Sequence, residues 1–352
     1  MKMRIAVIGA GSWGTSVSWL LGGKGHDVSL WSREPEIAEA INAEHRNPVY
    51  MRDIVLADGV RATHDIEAAL AGVEAVVMVT PSVGVRPTAE SMRPFLPADT
   101  PVVILSKGVE NDSLMLMTEV LEDVFGNRRR IAGLSGPNHA EEVGKGIPSA
   151  TVVAAYDEGV GRLFQDAFMT RTFRVYTNPD VVGVELCAAS KNVIAVAAGM
   201  SDGLGYGDNT KATLMTRGLA EMSRLGRSMG ANPLTYMGLA GMGDLIATCT
   251  SQHSRNRALG ELIAKGGTIE EFRQKTNMIA EGAFACISVG ALGERRGVEL
   301  PITRQVHSVL YEGVSPADAG DMLMGREARD ELHGLGLIDD DEDEEDVWAT
   351  RC

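Results

Sequence analysis

Arg4-Ile5-Ala6-Val7-Ile8-Gly9-Ala10-Gly11-Ser12-Trp13-Gly14 is the stretch on which the fold turns. Five residues make a short apolar run of the kind that forms a buried strand. Three glycines at Gly-x-Gly-x-x-Gly spacing follow at once, and Thr15 to Gly22 then reads as a helix. Strand, glycine turn and helix in that order are the fingerprint of a dinucleotide site. Gly9 makes the tight turn, Gly11 lets a pyrophosphate approach the backbone, and Gly14 lets helix and strand pack closely. The helix N-terminus then faces the anion.

Working outward, Asp27-Val28-Ser29-Leu30-Trp31 is the second strand. NAD-specific sites usually place an acid at its end, where this chain has Ser32 and Arg33, with Glu34 and Glu36 beyond. Arg33 has two readings: pairing a ribose 2'-phosphate, which favours NADP, or stacking on the adenine. Further strands are predicted at 74–79, 101–106, 130–134, 150–154 and 172–176, most of them alternating with helical stretches. Such alternation predicts a parallel, doubly wound Rossmann-type α/β sheet with ligands outside the carboxyl ends of the strands. Lys107 follows one of these ends and is placed to meet a ligand, the alternative being a solvated loop lysine. Ser135-Gly136-Pro137-Asn138-His139-Ala140 also follows a strand and opens a helix, with Pro137 suited to its first turn.

Beyond Asn178-Pro179-Asp180 the strand pattern stops. Residues 1–180 are therefore read as a dinucleotide-binding domain and 181–338 as an all-helical one, in keeping with a length of 352 residues. The second domain opens on Val181 to Ala198, whose only charged side chains are Glu185 and Lys191. It is apolar nearly all round, the mark of a buried helix. Lys191 either snorkels to a surface or sits buried, where an ammonium needs partners or gives up its proton easily. A glycine-rich break is predicted over Gly199–Gly207, with shorter helices near 233–247, 254–265, 268–274, 281–295, 302–312 and 315–324. Asp244 and Thr248 stand four apart on one helical face, although an isolated aspartate there also reads as a cap. Ser254-Arg255-Asn256-Arg257 before a helix reads as a phosphate seat or as plain surface.

Bulk composition narrows the classes of function. The net charge of −15 includes eight consecutive acids, Asp339 to Asp346, leaving about −7 for the rest. An acidic surface argues against nucleic acid and anionic membranes as general partners. Residues 339–352 form a charge block that cannot bury itself, so they are expected to form a disordered tail. Cys187, Cys249, Cys286 and Cys352 are scattered, suggesting neither a disulfide framework nor a zinc site. No apolar signal segment precedes the first strand, and no apolar run reaches membrane-spanning length. The expectation is a cytoplasmic protein with no metal.

Taken together, these stretches resemble the NAD(P)-dependent glycerol-3-phosphate dehydrogenase family in its bacterial cytoplasmic form. The likeness rests on the glycine turn, Ser106-Lys107-Gly108, Ser135-Gly136-Pro137, Ser190-Lys191-Asn192-Val193, Thr216–Met222, Gly241-Met242-Gly243-Asp244-Leu245 and Ser254-Arg255-Asn256. It spans residue 5 to about 330 in the family's order and spacing. The resemblance implies reversible reduction of dihydroxyacetone phosphate to sn-glycerol 3-phosphate by NADPH or NADH, supplying glycerophospholipid synthesis. Cofactor roles fall on Ser12, Trp13, Arg33, Tyr50, Lys107, Ala140, Arg255, Ile279 and Glu281, alongside Gly9, Gly11 and Gly14. Substrate roles fall on Lys107, Gly136, Asn138, Asp244, Ser254, Arg255 and Asn256. At 138 many relatives carry a hydroxyl residue where this chain has Asn. Lys191 is implied as the proton-transfer group, with Lys107 adding positive charge at the same oxygen and Asp244, Thr248 and Asn192 orienting. A homodimer is the usual expectation for such enzymes. The alternatives are a two-domain 3-hydroxyacid or sugar-phosphate dehydrogenase, a thiol-dependent nucleotide-sugar dehydrogenase, or a non-catalytic NADP(H)-binding protein.

Overall fold

Because the central strands of a parallel sheet are covered on both faces, they run as continuous apolar stretches. Those of this protein do so in its structure, a computed structural model that describes residues 2–276, 280–331 and 333. Eight strands make one sheet: β1 Arg4–Ile8, β2 Asp27–Trp31, β3 Val60–Thr63, β4 Ala75–Met78, β5 Val102–Ile104, β6 Ile131–Ser135, β7 Ser149–Ala155 and β8 Phe173–Asn178. Their spatial order is 3-2-1-4-5-6-7-8. Chain direction across the sheet reverses between β1 and β4, and the crevice at that point is where open α/β sheets bind ligands. The acidic tail, residues 339–352, and Ile279 lie outside the described residues.

The glycine turn has the geometry its spacing predicts. Gly9 adopts φ 123°, closed to side chains, and a Cβ there would lie 3.0 Å from the Val79 carbonyl oxygen. At Gly14 a Cβ would lie 1.8 Å from the Gly9 carbonyl oxygen, so helix and strand touch backbone to backbone. The helix itself covers Ser12–Gly23, three residues earlier than its apolar pattern indicated.

Two features of the sheet depart from expectation. β3 is an unforeseen edge strand, whose sequence Val-Arg-Ala-Thr has no apolar run to announce it. The sheet is also not wholly parallel: β7 runs antiparallel to β6, and β8 is parallel to β7. The reason is the connection 136–148, which holds only the four-residue helix Ala140–Val143. It lies largely at the carboxyl edge instead of carrying a helix back across a face of the sheet, as a parallel crossover would, so β7 starts at the edge where β6 ends. β8 therefore ends at the edge opposite the ligand-binding one.

That reversal positions the helical half. The helix Val181–Gly203 starts at the far edge and runs back along β6 and β7. Lys191 lies ten residues in, about 15 Å along at 1.5 Å per residue. A five-residue strand spans about the same distance, so Lys191 arrives level with the carboxyl ends of the parallel strands. Nineteen of the helix's 23 residues are buried. Among the described residues it alone is long and apolar enough to cross a membrane, and it is the core of a folded unit instead. It runs through Gly199 to Gly203, so the predicted break shrinks to Leu204–Gly207.

Close helix packing explains why the glycines were retained inside that helix. A Cβ at Gly199 would lie 2.0 Å from the Arg257 carbonyl oxygen, and one at Gly260 would lie 2.1 Å from that of Val196. The helices Val181–Gly203 and Arg255–Ala264 thus cross with their backbones in contact. Gly199→Ala should force them apart and lower unfolding free energy by about 2 kcal/mol or more, read from urea titration.

Candidate active site

Three chain segments meet at the carboxyl edge of the sheet. Lys107 follows β5, Gly136 follows β6, and the helix Val181–Gly203 brings Lys191 across from the other side. Between the two lysines stands Asp244, first residue of the helix Asp244–Thr250. Its Oδ1 accepts from Lys191 Nζ at 2.7 Å and its Oδ2 accepts from Lys107 Nζ at 2.7 Å. Lys191 also donates to Thr248 Oγ1 at 2.6 Å, and Lys107 to the Gly136 carbonyl at 3.4 Å. Thr248 donates in turn to the Asp244 carbonyl. The helix predicted over 233–247 is in fact a 3₁₀ segment, Pro233–Met237, a π turn, Leu239–Gly243, and then the α-helix. The π turn sets Asp244 facing both amines, a common use of such turns at functional sites.

Burial decides the electrostatics. Lys191 is 4% exposed and Asp244 3%. Desolvation pulls the Lys191 amine down; Asp244 opposes this, Lys107 adds to it, and the balance is a pKa of about 8. Burial pushes the Asp244 carboxyl up, but Lys107 and Lys191 outweigh it and hold it below the ordinary aspartate value. The result is an ammonium able to exchange its proton near neutrality beside a permanently ionised carboxylate. The snorkelling alternative for Lys191 is excluded.

Around this centre the helical half supplies a second set of contacts. Asn256 Nδ2 donates to Asn192 Oδ1 at 2.9 Å, and Asn256 Oδ1 accepts from the Gly282 amide at 2.8 Å. One amide hydrogen of Asn256 stays available. Ser254 caps its helix by accepting from the Arg257 amide, which leaves its hydroxyl hydrogen to donate. Arg255, at the start of the same helix, is exposed, and its charge acts on Glu281. Glu281 accepts from Ser82 Oγ at 2.8 Å, joining the loop after β4 to the helical half. Asn138 donates to the Ala150 carbonyl at 3.0 Å, while its Oδ1 is buried with no partner.

Some of the predicted cofactor residues lie at the first turn. Gly11 has nothing within 4 Å of where a Cβ would stand, and no side chain caps the helix Ser12–Gly23. Its first backbone amides are free to meet a pyrophosphate, which is the fit a dinucleotide requires. Trp13 packs against the core, and the Ala140 carbonyl accepts from Ser16 Oγ at 2.9 Å on the same helix. Arg33 follows β2 and pairs at 2.8 Å with Glu34, its side chain 84% exposed.

Two residues that sequence reasoning passed over belong here. Asn47 is fully buried and donates to the Ala10 carbonyl at 2.8 Å and to Thr15 Oγ1 at 2.9 Å. Its Oδ1 accepts from the amides of Val49 and Tyr50, so it ties the Tyr50 loop to the glycine turn. The Asn-Pro pair at 47–48, a turn signal, was the available clue. His139 lies with Nε2 3.5 Å from the Ala247 carbonyl, and its ring centroid is 6.2 Å from that of His253. Burial first, then Lys191, lowers its pKa. Among the described residues the thiols offer no nucleophile: burial pushes Cys187 well above its ordinary value and Cys249 and Cys286 up to about 12. Among the described residues no cluster of potential ligands could hold a metal ion.

Comparison with known proteins gives one consistent answer. The family model for the NAD-dependent glycerol-3-phosphate dehydrogenase N-terminus matches residues 4–160, and that for its C-terminus matches residues 180–321. A glycerol-3-phosphate dehydrogenase [NAD(P)+] of Pelotomaculum thermopropionicum is 48% identical over 339 residues, covering 96% of this chain and 97% of its own. One from Moorella thermoacetica is 48% identical over 326 residues, covering 93% and 97%. Among solved structures, glycerol-3-phosphate dehydrogenase from Coxiella burnetii superposes with a TM-score of 0.88 at 37% identity, over 92% of this chain and 99% of that one.

Removing the shared carboxylate should leave two uncompensated ammonium groups. Asp244→Asn is expected to lower unfolding free energy by about 3–5 kcal/mol at pH 7. Asp244 raises the pKa of Lys191, so the cost should shrink as pH rises towards about 8 and level off above it, where the amine is neutral in both proteins. Urea titrations of both proteins from pH 6 to pH 9 would measure it.

Proposed function

The chain belongs to the NAD(P)-dependent glycerol-3-phosphate dehydrogenase family, and from that premise we propose that Lys191 is its acid–base group. The enzyme reduces dihydroxyacetone phosphate to sn-glycerol 3-phosphate, reversibly, with NAD(P)H. When bound at the glycine turn, the reduced nicotinamide supplies the hydride. The observation that carries our reading is the pair of lysines, Lys191 buried and Lys107 partly so, that share the buried carboxylate of Asp244.

As negative charge collects on the carbonyl oxygen, Lys191 donates its proton to it, and in the oxidative direction takes it back. An ordinary lysine, near 10.4, would hold that proton too firmly. Lys107 adds positive charge at the same oxygen in a site shielded from water. Asp244 and Thr248 fix the Lys191 side chain, and Asp244 keeps the two ammonium groups together despite their repulsion. Arg255 and the free amide hydrogen of Asn256, at a helix N-terminus, hold the substrate phosphate, and that binding positions the carbon for transfer. Asn192 fixes Asn256, while Asn138 and the Gly136 backbone line the substrate side. The glycine turn, Trp13, Tyr50, Ala140 and Glu281 hold the cofactor. Arg33 would accept a 2'-phosphate by leaving Glu34, which supports use of NADPH beside NADH. The proposal extends to a cytoplasmic homodimer whose product feeds acylation to glycerophospholipids.

Lys191→Ala should cut turnover with dihydroxyacetone phosphate by about 10²-fold or more while leaving NADPH and NADH binding near normal. More than a tenth of parental turnover would remove Lys191 from the mechanism. With the parent enzyme, kcat/KM for reduction should fall as pH rises through about 8, because the acid form is lost. For glycerol 3-phosphate oxidation the same quantity should rise through that pH.

Arg255→Ala should raise KM for dihydroxyacetone phosphate by about tenfold or more with a smaller change in kcat. Equal use of unphosphorylated dihydroxyacetone by the parent would defeat the phosphate seat.

A further inference from the structure

A large cavity of about 1300 Å³ lies in the helical half, and none of the residues discussed above as catalytic lines it. One face each of the helices Asp208–Ser228, Pro301–Tyr311 and Pro316–Met324 forms its walls, together with the last turns of the Val181–Gly203 helix. Met200, Leu204, Leu214, Val306, Val309 and Leu323 make much of that wall apolar. A volume above the usual range for drug-sized ligands needs an occupant with substantial apolar length.

The polar groups along the wall narrow its chemistry. Ser201 is 3% exposed, and its hydroxyl has no partner; the Gln305 side-chain oxygen is also buried without one. Buried groups of this kind are ordinarily hydrogen-bonded. The charged residues around the cavity are mostly matched. Arg326 and Arg329 both pair with Glu299, and Arg217 donates to the Glu331 carbonyl. Glu221 accepts from the Ile302 and Thr303 amides, and Arg227 also has a partner. Arg224, half-buried on the same wall, makes no hydrogen bond or ion pair among the described residues.

We propose that this cavity binds a long-chain anionic amphiphile, its alkyl chain along the apolar walls and its carboxylate or phosphate head on Arg224. Ser201 and Gln305 would meet the polar atoms that join head to chain. A small polar ligand would leave the apolar wall wet, and a neutral lipid would leave the guanidinium, on which Glu221 and Glu299 act only through their charge, with no anion in contact. The site is separate from the two-lysine centre, so the proposal stands apart from the catalytic reading.

Calorimetric titration of the full chain tests it, using dodecyl phosphate, dodecanoate, dodecyl maltoside and dodecyltrimethylammonium below their micellar concentrations. One anionic amphiphile should bind per chain and raise Tm, and the tighter of the phosphate and carboxylate arms identifies the head. Arg224→Gln should weaken that binding about tenfold or more and leave turnover of dihydroxyacetone phosphate at the parental level. Leu214→Trp, which fills the cavity, should weaken it whatever the head. Four results would overturn the proposal: no binding, equal binding of the maltoside or ammonium compound, undiminished binding to both variants, or inorganic phosphate binding as tightly as dodecyl phosphate. The first is also the outcome if a second copy or the chain's own C-terminal segment covers this face.

Discussion

Two ammonium groups and one carboxylate, taken out of water together, set the terms for the rest of the structure. Asp244 gives one oxygen to Lys191 and the other to Lys107, so the cluster carries a net positive charge in a buried place. Such a cluster is tolerable only where geometry is tight and remaining hydrogen-bonding capacity is met. The π turn before Asp244, the Thr248 hydroxyl and the Gly136 carbonyl meet those demands. The excess charge is what makes the site useful, since it waits for an oxygen that becomes negative during the reaction.

Holding three segments in that register falls to the helix Val181–Gly203. It combines an apolar surface all round with glycines at the points where neighbouring helices cross. Backbone contact with the helix Arg255–Ala264 fixes Asn192 against Asn256, which joins Lys191 to the start of that helix in one rigid piece. The reversed strands β7 and β8 matter for the same reason. A wholly parallel sheet would have delivered the chain to the other edge, with Lys191 some 15 Å from where it stands.

Much of this was legible in the residues. The glycine spacing after an apolar run indicated the first turn, and the apolar helix pointed to Lys191, whose burial the pattern alone left open. What escaped had physical reasons. β3 carries its pairing in backbone hydrogen bonds that Val-Arg-Ala-Thr does not advertise. The direction of β7 depends on where the connection 136–148 runs relative to the sheet, which periodicity does not encode. Asn47 and His139 act across long sequence separations, through contacts visible only once the loops are folded. The Ser254-Arg255-Asn256-Arg257 stretch reads as a phosphate seat or plain surface from its residue types, and the cap that Ser254 makes on the Arg257 amide shows only once the helix is folded.

The division of Asp244 between two lysines has a further consequence for the working cycle. Lys107 belongs to the sheet and Lys191 to the helices, so the second ammonium acts as a removable brake on proton affinity. Any separation of the halves wide enough to part Lys107 from Asp244 returns the whole carboxylate to Lys191, admits solvent and strengthens its hold on a proton. On the proposed role of Lys191, the amine would thus be recharged when the product can leave and primed to release when the next substrate is enclosed. Reloading and discharge would follow from the same movement, with no separate proton relay required.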